Sequence, residues 1–350
     1  MPMPTADQEV WRYSRIADLD LAAYVPATAA TVVAGGDGFI AGADDLADLI
    51  VHDVFDELNN AFHQATVIRV PAGRVVLQPI VVTHTIAAGA SRQAVFPRLV
   101  IEAGADSEFT VVERFESSDD VEALVVPRLV VRAEQAARVT YLGVNLLGSR
   151  VWLLGHQQAE GERDSTTLLA SVALGGDYAR VRTDARVVGQ GATTRQIALY
   201  YADGHQMHDF RTLQDHAAPK TNSDLLFKGA VQDSAKSVYT GLIRIRENAK
   251  GSVAYQTNRN LTLSEGAWAE SVPNLEILTN DVKCSHASTV GPIDEEQRFY
   301  LESRGIPPHV AERLVVLGFF DEVLGQLPVG AMADELRERV VAKLLSRSAS

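Results

Sequence analysis

The chain has 350 residues, 46% of them hydrophobic and 22% charged, with a formal net charge of −13 and a single cysteine. Length and apolar content predict a globular protein with a substantial core, built as one large domain or a few smaller ones. The acidic balance argues against a nucleic-acid or anionic-membrane surface, no apolar run approaches the ~20 residues of a membrane span, and a lone cysteine leaves no internal disulfide framework. Met1 to Trp11 carry Asp7 and Glu9 and no apolar core, so they do not read as a secretory signal. The expected compartment is the reducing cytoplasm.

Residues 1–35 read as irregular, with Trp11-Arg12-Tyr13 expected to pack on the chain's own surface. Asp44 to Phe62 predicts an amphipathic helix: Leu46, Leu49, Ile50, Val54, Leu58 and Phe62 recur every three to four residues, and Asp44 or Asp45 can cap the start. His52 and His63 fall on it or at its end and read as solvated or packing residues.

From Val67 the texture changes to short β-branched runs. Ile80–Val82, Arg98–Glu102, Phe109–Phe115, Pro127–Arg132, Arg138–Val144, Val151–Leu154, Thr166–Val172, Tyr178–Val188 and Thr194–Tyr201 are the clearest, and the pattern continues to His286. So many short strands mean a sandwich, barrel, propeller or solenoid. A solenoid is favoured because Pro97-Arg-Leu-Val recurs as Pro127-Arg-Leu-Val and because hairpin dipeptides are missing from turns such as Glu102–Asp106 and Glu247–Gly251. Stacked rungs need covered ends, which the helices before Val67 and after Asp294 are expected to supply.

After Asp294 the helical period returns. Asp294 caps a helix that Gly305 ends, Pro307 or Pro308 opens a second, and Ala333 to Ser346 forms a third. The second is apolar nearly all round, which fits either a partner groove or packing within a three-helix unit. The predicted regions are 1–66, irregular and helical; 67–290, the β core; and 291–350, helical.

Cys284 and His286 lie on what reads as a short strand, so they share a face, about 7 Å apart. A thiolate and an imidazole suit zinc or iron, yet such sites usually take about four ligands. A metal or cluster here would need ligands from another chain. The alternative is an inert buried thiol beside a hydrogen-bonded imidazole. His205, His208, Asp209, Asp215 and His216 are of metal-binding type, but their spacing matches no zinc signature, and they read as turn-lining hydrogen-bonding groups. There is no P-loop, no strand–GxGxxG–helix unit and no Ser-His-Asp context, so nucleotide hydrolysis is not expected of this chain.

Longer motifs carry a resemblance. His208-Asp-Phe-Arg-Thr with His216-Ala-Ala-Pro-Lys-Thr-Asn-Ser, the segment Phe227 to Ile243, Tyr255-Gln-Thr-Asn-Arg-Asn-Leu, Pro273-Asn-Leu-Glu-Ile, Asp281-Val-Lys-Cys-Ser-His, Thr289-Val-Gly, Phe299-Tyr300 and Ser303-Arg-Gly-Ile resemble the SufB/SufD proteins of iron–sulfur cluster assembly, SufD more than SufB. The resemblance implies a mainly β fold, a right-handed parallel β-helix with N-terminal and C-terminal α-helical regions. It implies a non-catalytic subunit that works with a SufB-like paralogue and a SufC-like ABC ATPase. On this reading His286, with Cys284 beside it, lies at the SufB interface, where iron or a nascent cluster is held transiently and shared; no cofactor is stably bound by this chain alone. Phe299, Tyr300, Arg304, Leu314, Leu317, Phe319 and Phe320 would form the partner surface of the helices that dock SufC. Two alternatives remain: a SufB-like scaffold pairing with itself as a homodimer, and a β-helix enzyme acting on polysaccharide, which would need clustered carboxylates and export.

Overall fold

In the computed structural model, which describes residues 1–42, 49–89 and 92–346, the β-branched runs stack as a parallel β-solenoid of about eight turns. Its strands belong, among the described residues, to two sheets of 12 and 9 strands. The larger sheet stacks Gln64–Val70, Pro97–Ala103, Arg128–Ala133, Val151–Gly161, Tyr178–Val187, Met207–His216, Lys236–Ile245 and Trp268–Ile277, all parallel. The smaller stacks Ile80–Thr85, Glu108–Glu116, Arg138–Leu146, Thr166–Ala173, Thr193–Ala202, Asn222–Val231, Ser252–Thr262 and Val282–Gly291. The chain alternates between the two sheets, and in two early turns its pass through the larger sheet is split in two, Gln93–Val95 before Pro97–Ala103 and Ala123–Val125 before Arg128–Ala133.

The sequence echo is one rung lying on the next: Arg98, Leu99 and Val100 pair in register with Arg128, Leu129 and Val130. The corner that follows the larger sheet repeats too. Asp106, Ala136, Asp164, Gly191, Lys220 and Gly251 all take positive φ there, and the amide of each donates to a carbonyl in the next rung's corner. A left-handed residue at each of these corners reverses the chain without a hairpin.

Side chains on the outer face of the larger sheet form a charge ladder. In register run Arg69, Glu102, Arg132, Glu160, Arg186, Asp215, Arg244 and Glu276, alternating in sign throughout. Cross-rung bonds include Arg69–Glu102 at 2.6 Å, Arg186–Glu160 at 2.8 Å and Arg244–Glu276 at 2.8 Å. Parallel stacking places each residue over its counterpart, so like charges would repel along the whole column; alternation removes that cost.

The interior changes character along the axis. Early turns are filled by Ile68, Leu99, Ile101, Val111, Leu129 and Val139. Later turns bury Gln157, Thr183, Gln196, Thr212, Gln214 and Gln256 as well. Space there is tight: a Cβ on Gly229 would lie 1.8 Å from the ring of Tyr200, whose hydroxyl is fixed between Asn258 and Asn260. Gly229→Ala is therefore expected to cost about 1–3 kcal/mol, the scale of overpacking a dense core, seen as a lower urea midpoint at unchanged m-value.

The N-terminal segment closes the first turn. Ala30–Ala34 pairs antiparallel with Ile80–Thr85, and Ile40–Ala41 with Gln64–Val70. Trp11 is buried against Phe55 and under the guanidinium of Arg180, as expected of a tail packed on its own chain. The first helix is shorter than its hydrophobic spacing predicts. Helix α1 is Val54–Phe62, and its cap is Asp53, whose carboxylate accepts from the amides of Phe55 and Asp56. The expected caps Asp44 and Asp45, with Leu46, lie outside the described residues, and Leu49 and Ile50 are not helical.

The C-terminal helices are α2 (Glu295–Ser303), α3 (Pro308–Leu324) and α4 (Gly330–Ser346), with Asp294 capping α2 and Gly305 following it at positive φ. They do not cover the end of the solenoid. Helix α3 packs on the strands Thr193–Ala202 and Asn222–Val231, where Ile197, Leu199, Tyr201 and Leu226 meet Val316, Phe320 and Val323. The outer face of the smaller sheet is apolar, so the helices are needed on the flank.

Candidate functional site

With the helices on the flank, the described residues leave the last turn uncovered. Trp268–Ile277 and Val282–Gly291 are terminal strands, each paired on one side only among the described residues. Each is 10 residues long. Leu275, Ile277, Leu278 and Val290 are all partly exposed there. Long edges invite another strand, and monomers usually blunt them with charge, bulges or proline; Trp268–Ile277 carries Pro273 with Glu270 and Glu276, whereas Val282–Gly291 carries only Lys283.

Cys284 and His286 sit on the outermost strand, with Cys284 opposite Ala254 and His286 opposite Gln256. Strand alternation gives both side chains the same face, as expected. Their surroundings differ. Cys284 is half-buried against Ile243, Ile245, Ala249 and Ala254, and burial pushes its thiol pKa up. His286 is exposed. The pair therefore offers an accessible imidazole and a thiol that becomes a good ligand only when a nearby cation draws off its proton.

Sequence reasoning missed Gln256, one rung beneath His286. Its side chain is buried, and among the described residues neither end of its amide meets a protein partner. The amide lies over Gly241, where an added Cβ would come within 2.6 Å of Nε2. A buried amide with no protein partner, directly under an exposed imidazole, can take a bond from a group seated on the last turn. The signal for it was the stacking register, which a single sequence hides.

The other predicted residues divide. Phe299 is 71% and Tyr300 57% exposed on α2, and the Arg304 guanidinium sits 5.1 Å from the Tyr300 ring. Leu314 is exposed on α3, whereas Leu317 and Phe319 are half-buried against the core. Phe320 is a correction: it is fully buried, 6.4 Å from the Tyr201 ring, and holds α3 to the solenoid instead of offering a surface. Lys228 adds to that attachment by donating to the Phe319 carbonyl. His205 lies in a turn beside Ser234, His208 is buried near the Gly175 carbonyl, and His216 lies between the hydroxyls of Thr221 and Ser223. Only His205 lines a turn as the sequence suggested, and it is exposed; His208 and His216 are buried on the strand Met207–His216.

Comparison with known proteins follows the same outline. Residues 84–319 match the family model described as SUF system FeS cluster assembly, SufBD core domain. The chain belongs to the SufB/SufD family. It is 36% identical over 299 residues to an iron–sulfur cluster assembly SufBD family protein of Mycobacterium tuberculosis, covering 81% of this chain and 71% of that one. It is 30% identical over 332 residues to the iron–sulfur cluster assembly protein SufD of Escherichia coli, covering 93% and 77%. SufD of Bacillus subtilis is 31% identical over 246 residues, 69% of this chain and 56% of that one. Within the SufB/SufD family the chain stands close to SufD. No helix among its described residues is long and apolar enough to cross a membrane.

Proposed function

We propose that this chain is the SufD-like, non-catalytic subunit of a cytoplasmic iron–sulfur cluster assembly complex. The single observation that carries this reading is the last turn, whose two terminal strands each have one edge unpaired among the described residues, one of those strands carrying the half-site of His286 and Cys284. A SufB-like paralogue adds strands to those edges and completes the ligand set; iron or a nascent cluster is the cargo shared between the two chains. A SufC-like ATPase docks on the exposed face of α2 and α3, through Phe299, Tyr300, Arg304 and Leu314. The buried Phe320 and the half-buried Phe319 and Leu317 position those helices.

The test is co-expression with SufB-like and SufC-like partners, followed by native mass and by iron and acid-labile sulfide content. His286→Ala is expected to leave the complex intact, because the side chain is exposed, and to lower bound iron and sulfide by about tenfold or more, the scale of losing a contributor to a metal site. Unchanged iron and sulfide in that variant would remove His286 from the mechanism. The same free edges would also serve two copies of this chain; a homodimer holding iron and sulfide without any SufB-like subunit would replace the heterocomplex reading with a self-pairing scaffold.

A further inference from the structure

A second cluster of ligand-type side chains lies far along the sequence from Cys284 and His286, where the N-terminal segment meets the larger sheet. His52 precedes α1, Asp56 is in its first turn, and His156 is on the strand Val151–Gly161. One ligand atom from each lies within 4.8 Å of the other two. His52 Nδ1 is 3.2 Å from Asp56 Oδ2, and His156 Nδ1 is 3.3 Å from Asp56 Oδ1. Ligand atoms on a tetrahedral ion with bonds of about 2.0–2.1 Å stand about 3.3 Å apart; each imidazole is at that distance from one oxygen of Asp56, and the exposed His52 ring must move in to bring all three ligand atoms from within 4.8 Å to that spacing.

What surrounds the triad is what metal-bound histidine usually has. His156 directs its other nitrogen, Nε2, at Asp184 Oδ2, 3.2 Å away, and Asp184 is held in turn by Arg182 at 2.7 Å. That is the carboxylate–histidine arrangement that fixes a ligand's tautomer and raises its basicity. Asp56 is anchored as well: Oδ1 accepts from Arg128 Nε, and Oδ2 accepts from the His52 amide. Burial would push the Asp56 carboxyl up, but the hydrogen bonds from His156 and His52 and the charge of Arg128 outweigh it and hold the group far below the usual carboxylate range. Around the triad, Asp53, Asp56 and Asp184 face the guanidiniums of Arg128 and Arg182, and Arg180 lines the same pocket. Asp56 and His156 are buried, whereas His52 is exposed and lines a cleft of about 900 Å³ that provides the way in.

The geometry points to a binding site for one divalent first-row metal ion, ligated by His52, Asp56 and His156 with an open position toward the cleft. Two imidazoles and one carboxylate suit Fe(II) and Zn(II), and the ion ties α1 to the fourth rung. The site is independent of the uncovered last turn, and the two are separable by mutation.

The test uses the full chain, stripped with chelator under anaerobic conditions and titrated with Co(II), with Zn(II) and Fe(II) as competitors. Wild type and the double variant Cys284→Ser/His286→Ala are both expected to bind one Co(II) per chain, with visible d–d bands and a raised unfolding temperature. His52→Ala, at an exposed position that leaves the core intact, is expected to weaken binding at least tenfold, and His156→Asn to abolish it. Absence of bands in wild type, equal affinity in His52→Ala, or loss of binding only in the Cys284/His286 variant would each overturn the site. A fold check by near-ultraviolet circular dichroism on His52→Ala separates ligand loss from unfolding.

Discussion

Asp209→Ala is expected to destabilise the chain by about 3–5 kcal/mol, the range for removing one partner of a buried ion pair. Asp209 is fully buried. Its Oδ2 accepts from Arg180 at 2.8 Å and from the Tyr178 hydroxyl at 2.9 Å, and its Oδ1 accepts from Arg211 Nε at 2.6 Å. Burial alone would raise its pKa, but the charges of Arg180 and Arg211 hold it below the carboxylate range. Truncation leaves two buried guanidiniums without their counter-ion. The loss spreads, because the same arginines hold the tail: Arg180 donates to the Val10 carbonyl and stacks on Trp11, and Arg211 donates to the Arg12 carbonyl. Urea unfolding measures the loss, and hydrogen exchange over residues 8–24 should rise along with it. A change under about 1 kcal/mol, or a tail as protected as in wild type, would show that solvent reaches the arginines and that the ion pair is not what fastens the segment.

The solenoid was legible where the rungs repeat locally and illegible where they drift. Pro97-Arg-Leu-Val and Pro127-Arg-Leu-Val happen to be equivalent positions of adjacent rungs, so the echo survived in the sequence. The charge ladder left no trace, because its bonded neighbours are separated by 33 residues at Arg69–Glu102, 26 at Glu160–Arg186 and 32 at Arg244–Glu276. Corners absorb the differences, and a fixed period never forms. Capping chemistry read correctly at Asp294, Gly305 and Pro308, since those signals are local. It missed Asp53, the cap of α1, because Leu49 and Ile50 fit the helical period by chance and drew the expected start toward residues outside those described. Strand parity placed Cys284 and His286 on one face. Parity could not find Gln256 or the His52–Asp56–His156 cluster, which unite residues brought together only by stacking. Nor could it tell which side of α3 faces inward: with apolar residues all round, the choice was made by the Tyr201 and Leu226 surface that Phe320 meets.

Acid is expected to destabilise the folded chain well before its carboxylates titrate. His208 and His216 are both fully buried. Burial, aided by the Lys343 charge, pulls His208 from 6.5 down to about 3, and burial pulls His216 down to about 4 against a weaker opposing effect of Asp215. A histidine with a depressed folded-state pKa binds fewer protons folded than unfolded between the two values, so stability falls as pH drops through that interval. At pH 5 each histidine lies about 1.5 units below its unfolded pKa and costs about 2 kcal/mol, or about 4 kcal/mol for the two. Asp56, Asp209 and Asp215, held below the ordinary carboxylate value of 3.8, stay ionised at pH 5, and their losses come only at lower pH. His52 acts in the opposite direction: its hydrogen bond to Asp56 raises its pKa, so its contribution is complete below 6.5 and fades as pH rises through the folded value. It is too exposed to offset two buried rings. Urea unfolding at pH 7.5 and pH 5 should show the drop, and His216→Asn, which keeps a polar group between Thr221 and Ser223, should remove about half of it. Equal stability at the two pH values, or either ring titrating near 6.5 by NMR, would mean that water reaches the interior of the later turns and that these histidines are not sealed.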